Sequence, residues 1–128
     1  MEKKDLLKDV IKHIDIKSYN STELIDAMRN MSFTSRDTAR AADILMMMCK
    51  EKECTNILTL AGSTSAAGCM QVYVDMVRNK MIDVVVATGA SIIDMDLFEA
   101  LGFKHYIGEK ENVIADTTLR DLYIDRIY

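Results

Sequence analysis

Between Ile57 and Ala90 the chain reads as strand, small-residue turn, helix and second strand, with another small-residue turn directly after. The first turn is GSTSAAG, Gly62 to Gly68, and the second is TGAS, Thr88 to Ser91. The flanking stretches Asn56–Leu60 and Ile82–Ala87 are apolar almost without alternation, the pattern of parallel strands buried on both faces. The helix expected between them, about Ser65–Lys80, places Met70, Val74 and Val77 on one side and Asp75, Arg78 and Lys80 on the other. Two parallel strands joined in this way form a β-α-β crossover, right-handed by default. Small side chains at a strand-to-helix junction let backbone N–H groups approach a phosphate or ribose at the positive end of the helix dipole. In open α/β sheets ligands bind outside the carboxyl ends of the strands, where both turns would lie side by side. A nucleotide site is therefore the first expectation, with Ser63, Thr64, Ser65, Thr88 and Ser91 offering hydroxyls. Neither turn has GxGxxG spacing or the lysine of a P-loop. Close packing of helix on strand also selects small residues there.

The flanks are helical in pattern. Leu6, Leu7, Val10, Ile11 and Ile14 recur at helical spacing across residues 2–14, predicting an amphipathic arm that needs a surface to cover. Asn20 and Glu23 have the spacing of a capping box, so a second helix is expected over about Ser21–Met31. A third begins near Thr34 or Ser35 and runs through Met46, Met47 and Met48 to Lys50. Adjacent methionines point in different directions on a helix, which reads as core or subunit contact. A further helix over about Asp94–Leu101 stops at Gly102, a left-handed C-terminal position. Tyr106–Asp116 reads as loop or short strand. Leu119–Tyr128 is apolar at mixed spacing, as if a partner covers it or the native chain continues.

The architecture expected is one domain over 1–128, with a helical region 1–52 and an α/β core 53–128. A chain of 128 residues supports only a modest core. The formal charge of -4 argues against a polyanion partner such as nucleic acid. No apolar run reaches the roughly 18 residues of a membrane span, no secretory signal is evident, and the three cysteines lack CxxC spacing, so a cytoplasmic location is expected. Cys49 and Cys69 read as packing residues. His13 and His105 have no ligand-like spacing, and no metal site is expected.

The segment from GSTSAAG through IDVVVATGASIIDMD to LGFKHYIG resembles the first half of deoxyhypusine synthase. That family shows a Gly/Ser turn before a helix, an apolar strand containing Asp-Val, a Thr-Gly-Ala or Thr-Ala-Gly turn, an acidic helix start and a Tyr-(Leu/Ile)-Gly ending. Upstream, MSFTSRDTARAADIL is similar to the family's helix start, with Phe33, Arg40 and Ala41 at matching places. The resemblance covers about residues 28 to 110. It implies a Rossmann-like parallel sheet with flanking helices, a deoxyhypusine synthase-like NAD-binding fold, here incomplete and carrying an N-terminal helical arm. It also implies transfer of the 4-aminobutyl group of spermidine to a lysine of the translation factor 5A precursor. NAD would accept a hydride and return it, an active-site lysine would carry the aminobutyl group between those steps, and the subunits would form oligomers.

Carried over residue by residue, the resemblance puts NAD contacts on Gly62, Ser63, Thr64, Ser65 and Ala66, and on Thr88, Gly89 and Ala90. The family's acidic position after the second turn, which contacts nicotinamide ribose or the spermidine amines, falls on Asp94 or Asp96, because IIDMD holds one extra residue. Ile93 stands where some members have the first acid. Either aspartate would also serve as an acid near a helix start, worth about 0.3–1 kcal/mol. No residue matches the family's catalytic lysine motif, and the chain has no Trp. A complementary half bringing the lysine is therefore implied, the chain being either one product of a split enzyme or a truncated form. The alternatives are a non-catalytic partner of a synthase subunit and a stand-alone Rossmann-like nucleotide binder.

Overall fold

The computed structural model describes residues 1–108 and 114–127. It is an α/β structure with a two-stranded parallel sheet and flanking helices. The chain divides into two compact units. One is formed by Asp15–Thr59 and Gln71–Val86, the other by Met1–Ile14, Leu60–Met70 and the described residues from Ala87 onward. Among the described residues no helix is long and apolar enough to cross a membrane.

The first unit is mainly helical. A single 3-10 turn, Ile16–Ser18, is capped by the Asp15 carboxylate, which accepts from the Lys17 amide at 3.1 Å. Helix α2 spans Thr22–Met28. Ser21 takes its cap position, and Asn20 Oδ1 accepts from the Thr22 amide at 3.0 Å, so the expected Asn20–Glu23 box is replaced by a local turn. Helix α3, Phe33–Lys50, matches its expectation closely and packs on α2 through a face containing buried Ala39. Arg29 binds Asp26 on its own helix and Asp43 on α3. Met46 and Met47 are exposed on α3, so the expectation that most sides of this segment are covered is not met within the chain, and Cys49 is likewise exposed.

Strands β1, Ile57–Leu60, and β2, Val84–Ala87, form the sheet, each within its expected range. Val84 N–H donates to Asn56 O at 3.2 Å and Thr88 N–H to Leu60 O at 3.2 Å, one constant parallel register from start to end. Buried Asn56 fixes the entry to both strands: its amide donates to Asp83 Oδ2 at 2.8 Å and its side chain to Met81 O at 3.0 Å. Helix α4, Met70–Arg78, connects them. Its faces differ from the simple amphipathic expectation, with Val77 exposed and Asp75 buried. The reason is electrostatic: Lys17 Nζ donates to Asp75 Oδ1 at 2.7 Å and Gln71 Nε2 does so at 3.1 Å. The Lys17 ammonium holds the Asp75 carboxyl below the usual carboxylate range.

In the second unit the expected arm is helical only at α1, Lys3–Leu6. Beyond it the chain is extended, and Val10 forms an antiparallel bridge with Tyr106. Ile11 N–H donates to His105 O at 2.9 Å and Ile107 N–H to Asp9 O at 2.7 Å. These backbone bonds override a helical pattern that local spacing alone supports. After β1 the chain passes the first turn into a wide, π-type helical turn, Ser65–Cys69, broken from α4 by Gly68 at φ +102°. After β2 a continuous helical stretch comprises α5, Gly89–Ser91, a wide turn Ile92–Leu97 and α6, Phe98–Ala100. It starts five residues before the expected Asp94 and ends at Gly102, φ +98°, as expected. Helix α7, Asp116–Asp121, follows. Part of the stretch read as loop or short strand, 109–113, lies outside the described residues, as does Tyr128.

Candidate functional site

Both small-residue turns belong to the second unit, and its interior lies directly beneath them. Ser65 and Ser91 are fully buried, and Ala66 and Met95 are nearly so. Each residue is small or flexible because the two turns approach closely here, which explains at the packing level why the sequence is poor in bulk at these positions.

A serine joins the turns. Ser91 Oγ donates to the carbonyl oxygen of Gly62 at 2.9 Å and lies 3.5 Å from Thr88 Oγ1. Its own amide donates to Thr88 O at 3.1 Å, closing the second turn into its helix. Beneath this link the Ala66 N–H points at Met95 Sδ, 3.4 Å away. Ala66 therefore supports the first turn from below and its amide is committed within the protein. Gly62, Thr88, Gly89 and Ala90 lie at the surface, while Ser63 and Thr64 are half-buried. Gly62 adopts φ +78°, which admits glycine readily and other residues at a cost.

Three polar atoms around the turns, Thr64 Oγ1, Ser65 Oγ and Asp96 Oδ1, are buried with no hydrogen-bond partner. A buried polar group without a partner costs about 1–3 kcal/mol, so each of these atoms calls for a water or a ligand atom beside it. The two aspartates left open by the sequence separate here: Asp94 is exposed, whereas Asp96 turns one carboxylate oxygen inward. Ile93 is exposed.

The structure also brings together residues that no sequence spacing connects. Glu99, on α6, receives His13 Nε2 on Oε2 at 2.6 Å and His105 Nδ1 on Oε1 at 2.8 Å. All three side chains are mostly buried. Burial alone would push the Glu99 carboxyl up, but the hydrogen bonds from His105 and His13 outweigh it and hold the group below the usual carboxylate range. A depressed carboxyl contributes stability that is fully present above its unfolded value, about 4.3, and lost as pH falls through the lower folded value. Wild-type thermal midpoints are therefore expected to drop on acidification below about pH 4.3 more steeply than those of Glu99→Gln. Equal slopes in a pH-stepped melting series would contradict this.

These features define a class before they define a family: an α/β protein whose two strand-turn-helix junctions are tied together at the carboxyl ends of parallel strands. A family model described as deoxyhypusine synthase matches residues 23–128. A deoxyhypusine synthase-like protein of Caulobacter vibrioides is 62% identical over 127 residues, 99% of this chain and 34% of that protein. One of Coxiella burnetii is 56% identical over 126 residues, 98% of this chain and 35% of that protein. A probable deoxyhypusine synthase 2 of Methanosarcina acetivorans is 37% identical over 115 residues, 90% of this chain and 32% of that protein. The chain belongs to the deoxyhypusine synthase family, and it spans about a third of the length of the curated relatives it matches.

Proposed function

We propose that this chain forms the Rossmann-like, NAD-binding part of a deoxyhypusine synthase. The assembly would transfer the 4-aminobutyl group of spermidine to a lysine of the translation factor 5A precursor, with a complementary polypeptide bringing the catalytic lysine. The observation that carries the reading is the Ser91–Gly62 link, which holds two surface-lying turns together over the unpaired Thr64 Oγ1 and Ser65 Oγ. Hydroxyls of this kind suit the ribose and phosphate oxygens of a dinucleotide. A glycine at 89 leaves room beside them, since a Cβ there would meet nothing within 4 Å. NAD, when bound, supplies the hydride acceptor; this chain's part is to hold it through Gly62–Ala66 and Thr88–Ala90.

The cytoplasmic, oligomeric setting and the complementary half follow from the family reading. The oligomeric setting and the complementary half are supported by the greater length of the relatives and by the open sheet, whose Val84, Val85 and Val86 are 41%, 41% and 55% exposed where parallel strands ordinarily have both faces covered. Calorimetric titration of NAD into the chain, alone and with a lysine-bearing synthase chain, tests the proposal. Binding accompanied by spermidine-dependent transfer in the assembly is expected, and absence of NAD binding in every assembly overturns it.

Asp96 is the better candidate for a spermidine amine, because a buried carboxylate oxygen is stable only when paired. Asp96→Asn is expected to weaken spermidine binding about tenfold or more, the worth of a charge-assisted hydrogen bond. Asp94→Asn should leave it within about twofold, as expected of a surface substitution. Equal effects of the two substitutions would place the amine elsewhere.

A further inference from the structure

The N-terminal segment touches the first turn and the far end of the helical stretch that begins in the second, through different atoms. Ile14 N–H donates to Gly68 O at 2.9 Å, at the end of the first turn. One residue earlier, His13 Nε2 meets Glu99 at 2.6 Å, at the end of the helical stretch that begins in the second turn. Lys12 O lies only 3.1 Å from where a Cβ on Gly68 would stand, so the segment is pressed against the first turn. On its other side the segment is registered by the Val10–Tyr106 bridge, and the adjoining His105 holds the second oxygen of Glu99.

We propose that Asp9–Ile14 braces the two cofactor turns, with His13 and Glu99 as positioning residues that fix their spacing for the nucleotide. The inference rests on the NAD reading above. It adds that NAD affinity depends on side chains that do not line the turns. The path is continuous: Gly68 to Ile14 through the backbone, His13 to Glu99 through the side-chain hydrogen bond, and Glu99 back along the helix to Gly89. The titratable groups acting on Glu99 are His105, from the stretch after α6, and His13, from the N-terminal segment. A cluster of this kind is a hydrogen-bonded clasp; among the described residues no group of three ligand-type side chains is arranged to hold a metal ion.

The test compares the full wild-type chain with His13→Ala, His13→Gln and Glu99→Gln, using calorimetric NAD affinity and amide hydrogen exchange without ligand. Exchange in residues 62–68 and 88–91 is expected to accelerate in His13→Ala. NAD affinity should fall about tenfold, a typical size for coupling between sites. His13→Gln, whose amide N–H can still donate to Glu99, should recover most of the affinity. Glu99→Gln, which loses the carboxylate that both imidazoles meet, should lower NAD affinity as His13→Ala does. A wild-type chain that binds NAD, with affinity and exchange unchanged in all three variants, overturns the brace alone. A wild-type chain that binds no NAD, alone or with a synthase partner, overturns the function reading and the brace's role with it.

Discussion

Gly89→Val is expected to abolish measurable NAD binding while leaving the fold intact. Gly89 opens α5, and an added Cβ meets no protein atom within 4 Å. Valine costs a helix no more than glycine does, so the thermal midpoint should hold or rise slightly. The valine methyl groups would instead occupy the space proposed for the cofactor. Forcing extra bulk into a fitted site costs about 1–3 kcal/mol or more, roughly ten- to hundredfold in affinity. Calorimetry and a melting curve on the same preparation separate the two quantities. Retained NAD affinity in a folded Gly89→Val chain would reduce the second turn to a packing device.

The second large effect is expected on stability. Gly68→Ala should lower the stability of the second unit by about 1–3 kcal/mol, the range for a residue forced into a sparsely allowed backbone region. Two terms act together: Gly68 sits at φ +102°, and the new methyl would stand 3.1 Å from Lys12 O, a backbone atom with little freedom to retreat. Gly62→Ala is the internal control. It shares the left-handed backbone, φ +78°, but its Cβ meets nothing within 4 Å. The melting midpoint of Gly68→Ala should therefore fall further than that of Gly62→Ala, and the excess measures how tightly the N-terminal segment is seated. Equal losses would mean that the segment yields freely.

The parts of the fold written in contiguous residues were legible in the sequence. Two runs of β-branched and leucine residues marked the strands, small residues marked both turns, and Gly102 marked a helix end, since each depends on local geometry. The N-terminal segment was misread for an equally physical reason. Leu6, Leu7, Val10, Ile11 and Ile14 satisfy a helical period, but the backbone of residues 9–11 is claimed by residues 105–107 through hydrogen bonds that no local pattern announces. Long-range pairing also hid Asp75, which reads as a solvated helix charge until Lys17 is found beside it. The same holds for the site. The turn residues could be listed from sequence, whereas the inward aim of Asp96, the Ser91–Gly62 bond and the His13–Glu99–His105 cluster arise only when distant segments meet. The neighbourhood of His105 and Glu99, six residues apart, was the one local hint of that cluster.

The open sheet has a consequence for how such a chain survives in solution. Among the described residues each strand has a single neighbour, so each has one open edge, beside exposed Ile57 on β1 and exposed Val84, Val85 and Val86 on β2. An edge of that kind is a template for any other extended chain. Lysines and prolines that commonly guard such edges are absent from Ile57–Leu60 and Val84–Ala87. At high concentration the isolated polypeptide is expected to pair edge to edge with its own copies, and light scattering that does not rise with concentration would contradict this. A partner strand laid along that edge would remove the template.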